Sequence, residues 1–182
     1  DPDTIPHRAN EEPTDAAVRI VRRVVALLAE RTSDGYALRV DLRLRPDPDT
    51  TPSSLPLGAA EAYYQSQALA WERAAFIRAR AAAGDVAMGR RFLAGIGPFV
   101  WRRSLDYSAL AEIREVSHRI RDHFAETQSL GPGFDLKRGR GGIREVEFYA
   151  QVHQLIFGGR DPSLRHGATL DALAALAAAG KI

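Results

Sequence analysis

One aspartate lies among arginines in residues 35–46, which read GYALRVDLRLRP. Apolar and polar residues alternate here, which predicts a strand with one apolar and one charged face. Successive strand side chains point to opposite sides, so Asp41 shares its face with arginines. These are Arg39, Arg43 and Arg45. A carboxylate suits Mg²⁺ and paired guanidinium groups suit phosphate, so the face indicates a metal and phosphate site or a solvated edge strand.

A second charged group lies in the glycine-rich residues 129–142, SLGPGFDLKRGRGG, just before a predicted helix. The cations of this stretch and of the first helical turn are Lys137, Arg138, Arg140 and Arg144. Amides at a helix N-terminus favour anions, so the loop is a candidate site for phosphate, nucleotide or an acidic protein surface. The structural alternative is that the glycines allow tight packing and that Arg144, Glu145 and Glu147 pair with neighbours.

The composition excludes several functional classes. The chain has 182 residues, 45% of them hydrophobic and 26% charged, which is typical of a globular protein and not of a disordered one. No apolar run approaches the roughly 20 residues of a membrane span, so a cytoplasmic protein is expected. The absence of cysteine excludes disulfides, thiolate catalysis and cysteine zinc sites. A net charge of +2 with 8% aromatic residues argues against a nucleic-acid binder.

Apolar spacing predicts helices around the single strand, hence an α+β fold that is predominantly helical. Thr14 is expected to cap the first helix, and prolines between residues 46 and 56 predict a surface loop. Further helices are predicted over residues 59–80, before the stop at residues 96–98, over residues 107–124, over residues 143–157 and from Thr169 to Gly180. In the helix over residues 143–157 the expected buried residues are Val146, Tyr149, Val152 and Ile156.

Four segments of the chain carry a family resemblance through their motifs, order and spacing. They are RVDLRLRPD at 39–47, YYQSQALAWERAAFIRAR at 63–80, FVWRRSLDY at 99–107 and LKRGRGGIREVEFYAQVHQLIFGGRDPSLR at 136–165. Together they resemble the glutamine synthetase adenylyltransferase/adenylyl-removing enzymes, over nearly the whole chain. The resemblance implies the C-terminal part of a polymerase-beta-like nucleotidyltransferase domain at residues 1–83. An α-helical bundle domain at residues 84–182 would follow it.

The resemblance also implies a function. Such enzymes attach AMP to a tyrosine of glutamine synthetase in one half and remove it in the other, by phosphorolysis that yields ADP. GGIREVEF at 141–148 and the arginine pair of FVWRRSLDY are similar to the N-terminal, adenylyl-removing half. The implied partners are glutamine synthetase as protein substrate, the PII signal protein, ATP or ADP, and phosphate, with Mg²⁺ as cofactor.

The site residues follow from the same resemblance. Asp41 matches the third of three carboxylates that hold two Mg²⁺ ions, and Arg43, Arg45, Lys137, Arg140 and Arg144 are expected to bind nucleotide or phosphate. The motif GSDxDL that carries the first two carboxylates is absent, so an excised and inactive fragment is expected. Alternatives are a noncatalytic binding module for glutamine synthetase or PII, the adenylyl-transferring half, and the related PII uridylyltransferase.

Overall fold

The computed structural model describes residues 5–103 and 131–182, together with Ala111 and Glu115. The chain forms two compact units, Asp1–Ala68 and Leu69–Ile182. Helices dominate the described residues, which confirms the expectation of a mainly helical protein. The proposed division into domains at residues 83 and 84 stays a prediction. None of the described helices is long and apolar enough to cross a membrane.

The first unit contains α1, Pro13–Ala29, and α2, Leu57–Ser66. Pro13 occupies the start of α1, where its fixed φ suits a helix and its missing N–H is no loss. Glu12, rather than the predicted Thr14, is the N-cap, and its side chain makes no capping hydrogen bond. Arg19 instead fixes the segment before the helix, because its Nε lies 2.7 Å from a carboxylate oxygen of Glu11.

The predicted strand at residues 35–46 is not formed, so this prediction was wrong. Gly35 makes the expected turn, with φ +102°. Within the described residues, β-type pairing is limited to an isolated bridge between Thr32 and Gly35. Beyond it residues 38–42 form no regular secondary structure, and the chain turns at Arg43 and Leu44. Without a neighbouring strand to supply ladder hydrogen bonds, the alternation of apolar residues does not produce a sheet. Leu38 accordingly remains 60% exposed.

The regular elements in the described part of the second unit are all helical. Its elements are α3, Ala70–Phe76; α4, Val86–Gly95; α5, Gly97–Val100; α6, Ile143–Phe157; a 3₁₀ turn, Pro162–Leu164; and α7, Thr169–Ala178. The long helix predicted over residues 59–80 is in fact two helices, α2 and α3, with a break before Leu69. Glu72 stabilises the new start, because its Oε2 accepts the Leu69 amide at 2.7 Å. Apart from Ala111 and Glu115, which are helical, the helix predicted over residues 107–124 lies outside the described residues.

The core of the second unit lies where α6 packs against α7 and α3 packs against α5 and α6. Its buried apolar side chains include Ile96, Phe99, Val100, Leu155, Leu164 and Leu176. Gln154 is buried among them, and its Nε2 donates to the carbonyls of Leu164 and His166 at 2.7 and 2.8 Å. A buried amide is stable only when such bonds replace those to water. Gln154 therefore fixes the 3₁₀ turn against α6.

The face of α6 that enters the core differs from the predicted one. Val146 and Tyr149 are exposed, at 42% and 49%, whereas Ala150, Gln154 and Leu155 are buried. The predictions for Val146 and Tyr149 were therefore wrong. Because α6 carries apolar residues around much of its circumference, spacing alone does not identify the buried side.

Candidate functional site

Asp41 and Arg43 are in direct contact. The Asp41 Oδ1 accepts the Arg43 backbone N–H and Nε–H, both at 3.0 Å, and Oδ2 accepts Nη2 at 2.6 Å. An aspartate that accepts the amide two residues later forms a turn, which is the local alternative to a strand. The bonds from Arg43 lower the pKa of Asp41 from 3.8 to about 2, so the carboxylate is charged at neutral pH.

Arg45 is directed toward the proline-rich loop that follows it. Its Nη1 donates to the Leu42 carbonyl at 2.9 Å, and its Nη2 donates to the Pro48 carbonyl at 2.6 Å. The Thr51 hydroxyl donates to the carbonyls of Pro46 and Asp47 in the same loop. Arg45 and Thr51 therefore organise this loop, and a phosphate group would have to displace carbonyl oxygens to reach Nη2 of Arg45.

Asp41 is a single candidate metal ligand. In the described ranges there is no group of three acidic or histidine side chains placed to hold a metal ion. Mg²⁺ is commonly held by one or two carboxylates together with substrate phosphates, so one carboxylate fits part of a site but not a whole one. Both oxygens of Asp41 are also engaged by Arg43, and this pairing must loosen before a metal ion binds.

The basic loop before α6 is held by Asp135. One carboxylate oxygen accepts the amides of Lys137 and Arg138 at 2.9 and 3.0 Å, and the other lies 3.0 Å from Arg138 Nε. Gly139 is buried, and a Cβ there would lie 2.3 Å from the Phe134 ring. Glycine is therefore required at this position by packing, as the structural alternative predicted.

The first amides of α6 are already hydrogen-bonded within the loop. The Ile143 N–H donates to the Leu136 carbonyl at 2.9 Å, and the Arg144 N–H donates to the Lys137 carbonyl at 3.0 Å. These two amides are thus not available to an anion, contrary to the expectation for a helix N-terminus. An anion at this end of α6 would therefore be bound by side chains rather than by these two amides.

Three cations of the loop are available for that purpose. Lys137, Arg140 and Arg144 are exposed, and their side chains form no hydrogen bond or ion pair in the part of the chain that the structure describes. Glu147, in contrast, pairs with Arg78, whose Nη1 lies 2.7 Å from Oε1. The alternative that these charged residues pair with neighbours is therefore confirmed for Glu147, and Arg144 shows no such pairing in the described residues.

A further set of arginines joins the pair of FVWRRSLDY to two arginines that the sequence patterns did not single out. Arg102 and Arg103 follow Trp101, while Arg160 and Arg165 follow the glycine pair that ends α6. Arg160 Nε donates to the Arg103 carbonyl at 2.9 Å, and the Arg165 guanidinium carbon lies 5.1 Å from the centre of a Trp101 ring. We call these four residues the arginine cluster. The adjacent glycines, which allow close backbone approach, were the available signal.

The predicted site residues thus fall into two groups, one in each unit. Asp41, Arg43 and Arg45 belong to Asp1–Ala68, and Lys137, Arg140 and Arg144 belong to Leu69–Ile182. Within the first group, the structure brings Asp41 and Arg43 together and turns Arg45 toward loop carbonyls.

Comparison with known proteins identifies the family. The model of the glutamate-ammonia ligase adenylyltransferase family matches residues 3–95, about half of the chain. The chain belongs to the glutamate-ammonia ligase adenylyltransferase family. A model named GlnD PII-uridylyltransferase matches residues 110–182.

Curated relatives of this adenylyltransferase family match the whole chain. The protein of Caulobacter vibrioides named bifunctional glutamine synthetase adenylyltransferase/adenylyl-removing enzyme is 52% identical over 100% of this chain and 18% of its own length. Proteins of the same name from Xanthobacter autotrophicus and Bradyrhizobium diazoefficiens are 53% identical over 88% and 46% identical over 100% of this chain. They are covered over 16% and 18% of their own lengths, so the chain spans about a fifth of these relatives.

Proposed function

We propose that this chain is part of an enzyme that regulates glutamine synthetase through reversible adenylylation of a tyrosine. The names of relatives that match the full chain at about half identity support this role. Within that enzyme we assign the chain to the half that removes AMP by phosphorolysis, releasing ADP. GGIREVEF at 141–148 and the arginine pair Arg102 and Arg103 are similar to that half, and they support the assignment.

The observation on which the proposed chemistry rests is the paired carboxylate of Asp41. Its pKa of about 2 keeps it ionised at working pH, as a ligand for Mg²⁺ must be. Mg²⁺, when bound, would polarise the phosphodiester and orient the attacking phosphate. Asp41 would supply one oxygen, and groups outside the described residues would supply the remaining ligands.

Arg43 would regulate the availability of that carboxylate. Because it holds both oxygens of Asp41, it screens the negative charge when no metal is bound. When Asp41 turns to a metal, the Arg43 guanidinium becomes available for an oxygen of phosphate or of the nucleotide. Arg45, in the same segment, would shape the adjoining loop and contribute positive charge.

Lys137, Arg140 and Arg144 would bind phosphate or nucleotide through their side chains. They are exposed and without acidic partners in the described part of the chain, so anion binding would not first require breaking an ion pair. Their backbone is fixed by Asp135 and by the glycines of the loop, which limits the entropy lost on binding. PII is proposed as the regulatory partner of the parent enzyme.

The test is release of ADP from adenylylated glutamine synthetase, phosphate and Mg²⁺ by the full-length parent enzyme. Asp41→Asn removes the charge while retaining the shape, and a loss of activity of at least about a hundredfold is expected for a metal ligand. Asp49→Asn is the matched control, because this nearby aspartate is exposed and makes no described side-chain contact. Its activity should equal that of the wild type.

Other results would redirect the proposal. Full ADP release by the Asp41→Asn enzyme would contradict the metal-ligand role and favour a binding module for glutamine synthetase or PII. Loss of AMP attachment with unchanged AMP removal would place Asp41 in the transferring half. UMP transfer to PII by the parent, with no action on glutamine synthetase, would favour a uridylyltransferase.

A further inference from the structure

We infer that the arginine cluster, Arg102, Arg103, Arg160 and Arg165, is a docking surface for an acidic segment of a partner protein. The surface lies in the second unit and is separate in sequence from the residues proposed for phosphate chemistry. The inference rests on how the backbone brings these cations together, on their lack of ion pairs to the residues that the structure describes and on their exposure.

The cluster is built by close contact between two segments that are far apart in sequence. A Cβ added to Gly159 would lie 1.8 Å from the Arg102 carbonyl oxygen, so only glycine permits this approach. The bond from Arg160 Nε to the Arg103 carbonyl spans 57 residues of chain. These contacts hold Arg160 beside Arg102 and Arg103 independently of any ligand.

Arg165 is fixed to the same place from the other side of the turn. Its Nε donates to the Gly158 carbonyl at 2.7 Å, and its guanidinium lies over Trp101. A Cβ on Gly158 would also contact the Trp101 ring at 3.0 Å. Trp101 therefore packs against Arg165 and the Gly158 backbone, with part of its surface exposed.

Within the described residues, the positive charge of the cluster is poorly balanced. Asp161 is the acidic residue next to Arg160, and bonds from Ser163, together with the charge of Lys181, lower the pKa of its carboxyl group. Lys181 thus acts on Asp161, and its Nζ lies 5.1 Å from the centre of the Phe157 ring. None of the four arginines forms an ion pair within the residues that the structure describes. Gathering like charges in this way is unfavourable unless a negative partner binds.

The chemistry of the surface favours a protein segment over a small anion. All four arginines are exposed, whereas sites for small ligands are concave and bury most of the ligand. Guanidinium groups form bidentate pairs with carboxylates, and Arg and Trp are the residue types that dominate interface energies. A segment that carries several Asp or Glu residues and one apolar side chain for Trp101 fits this surface.

The experiment measures binding of a short fluorescent peptide of alternating Glu and Leu, with the Gln and Leu peptide as its neutral counterpart. Arg102→Gln with Arg103→Gln is the test variant, because neither side chain makes a described contact and the fold should be unchanged. Arg22→Gln with Arg23→Gln is the control, since it removes the same charge from exposed positions of α1. Circular dichroism and thermal unfolding verify that both variants fold.

The acidic peptide should bind the wild type and the control variant with similar affinity, and the test variant about tenfold more weakly. Added salt should weaken binding of the wild type more than that of the test variant. The inference would be overturned by equal binding of the neutral peptide, by an equal loss in the control variant, or by no binding at all. Binding of inorganic phosphate at the Arg102 and Arg103 side chains, without binding of the peptide, would likewise replace it with a small-anion site.

Discussion

The Arg43 guanidinium donates hydrogen bonds to both carboxylate oxygens of Asp41. The two residues are only two positions apart, so their contact is local and needs no neighbouring strand. The two side chains share a strand face in the sequence pattern, and the turn at Arg43 brings them together by a different route. Because the contact is local, it should respond to single substitutions without loss of the fold.

Arg43→Gln should raise the pKa of Asp41 from about 2 toward 3.8, because the side-chain hydrogen bonds from Arg43 are the largest cause of the lowering. The measurement is an NMR titration of the Asp41 carboxyl carbon. Arg39→Gln is the control and should have a smaller effect, since Arg39 acts only through its charge. An unchanged pKa in the Arg43→Gln variant would contradict the observed pairing.

The same pair makes stability depend on pH in a defined direction. The folded pKa of Asp41 lies below its ordinary value, so its contribution to stability is present above pH 3.8 and is lost as pH falls toward about 2. Glu11, whose pKa is lowered from 4.5 to about 2 mainly by Arg19, acts in the same direction. Thermal unfolding across this range should show a smaller acid-induced loss in a variant with both Arg43→Gln and Arg19→Gln.

Gln154→Leu should lower the free energy of unfolding by about 1–3 kcal/mol, because the His166 carbonyl would lose the donor that Gln154 supplies and the Leu164 carbonyl would keep only the His166 N–H. Denaturant unfolding measures the change. Gln151→Leu on the same helix is the control, since Gln151 is only partly buried and makes no described side-chain bond. Equal stability of the two variants would show that the Gln154 bonds contribute nothing.

Gly159→Ala should be destabilising by about 1–3 kcal/mol or more, because its Cβ would overlap the Arg102 carbonyl and force the backbone apart. Gly58→Ala is the matched control: nothing lies within 4 Å of its added Cβ, and its backbone is helical. That substitution should be neutral or stabilising by about 0.4–1 kcal/mol. Calorimetric unfolding of the two variants distinguishes the positions.

The Arg78 and Glu147 ion pair should contribute a coupling energy of about 0.2–1 kcal/mol, because its side chains are 53% and 30% exposed and solvent screens the attraction. A double-mutant cycle with Arg78→Gln and Glu147→Gln measures this value from unfolding curves. The coupling should decrease in high salt. A coupling of zero would identify the contact as one without energetic consequence.

Helix boundaries were the part of the fold that the sequence predicted best. The helices over Ile143–Phe157 and Thr169–Ala178 begin and end near the predicted residues, because glycines and the change from polar to periodic sequence mark them. The stop at residues 96–98 was also confirmed, where α4 ends at Gly95. Local signals of this kind act over a few residues and need no knowledge of the tertiary structure.

The sequence-based predictions that failed depend on contacts between residues that are distant in sequence. The alternation around Asp41 predicted a strand, but a strand requires a neighbour that the described residues do not provide. Gln154 was not predicted to be buried, because a polar residue enters a core only when carbonyls such as that of Leu164 are positioned to accept its hydrogens. Likewise, the meeting of Arg102 with Gly159 depends on a tertiary contact that no local pattern encodes.

The loop that leads into α6 closes on itself, since the carbonyls of Leu136 and Lys137 receive the first amides of the helix. Both bonds lie within residues 136–144, so the loop and the first turn of the helix form a unit held by short-range contacts. The distance between Lys137 and Arg144 is therefore set by local sequence, because the bond from the Arg144 N–H to the Lys137 carbonyl joins the two residues directly. Exchange of the Ile143 and Arg144 amides with solvent deuterium should accordingly be slowed to the same degree, and the two should open as one event.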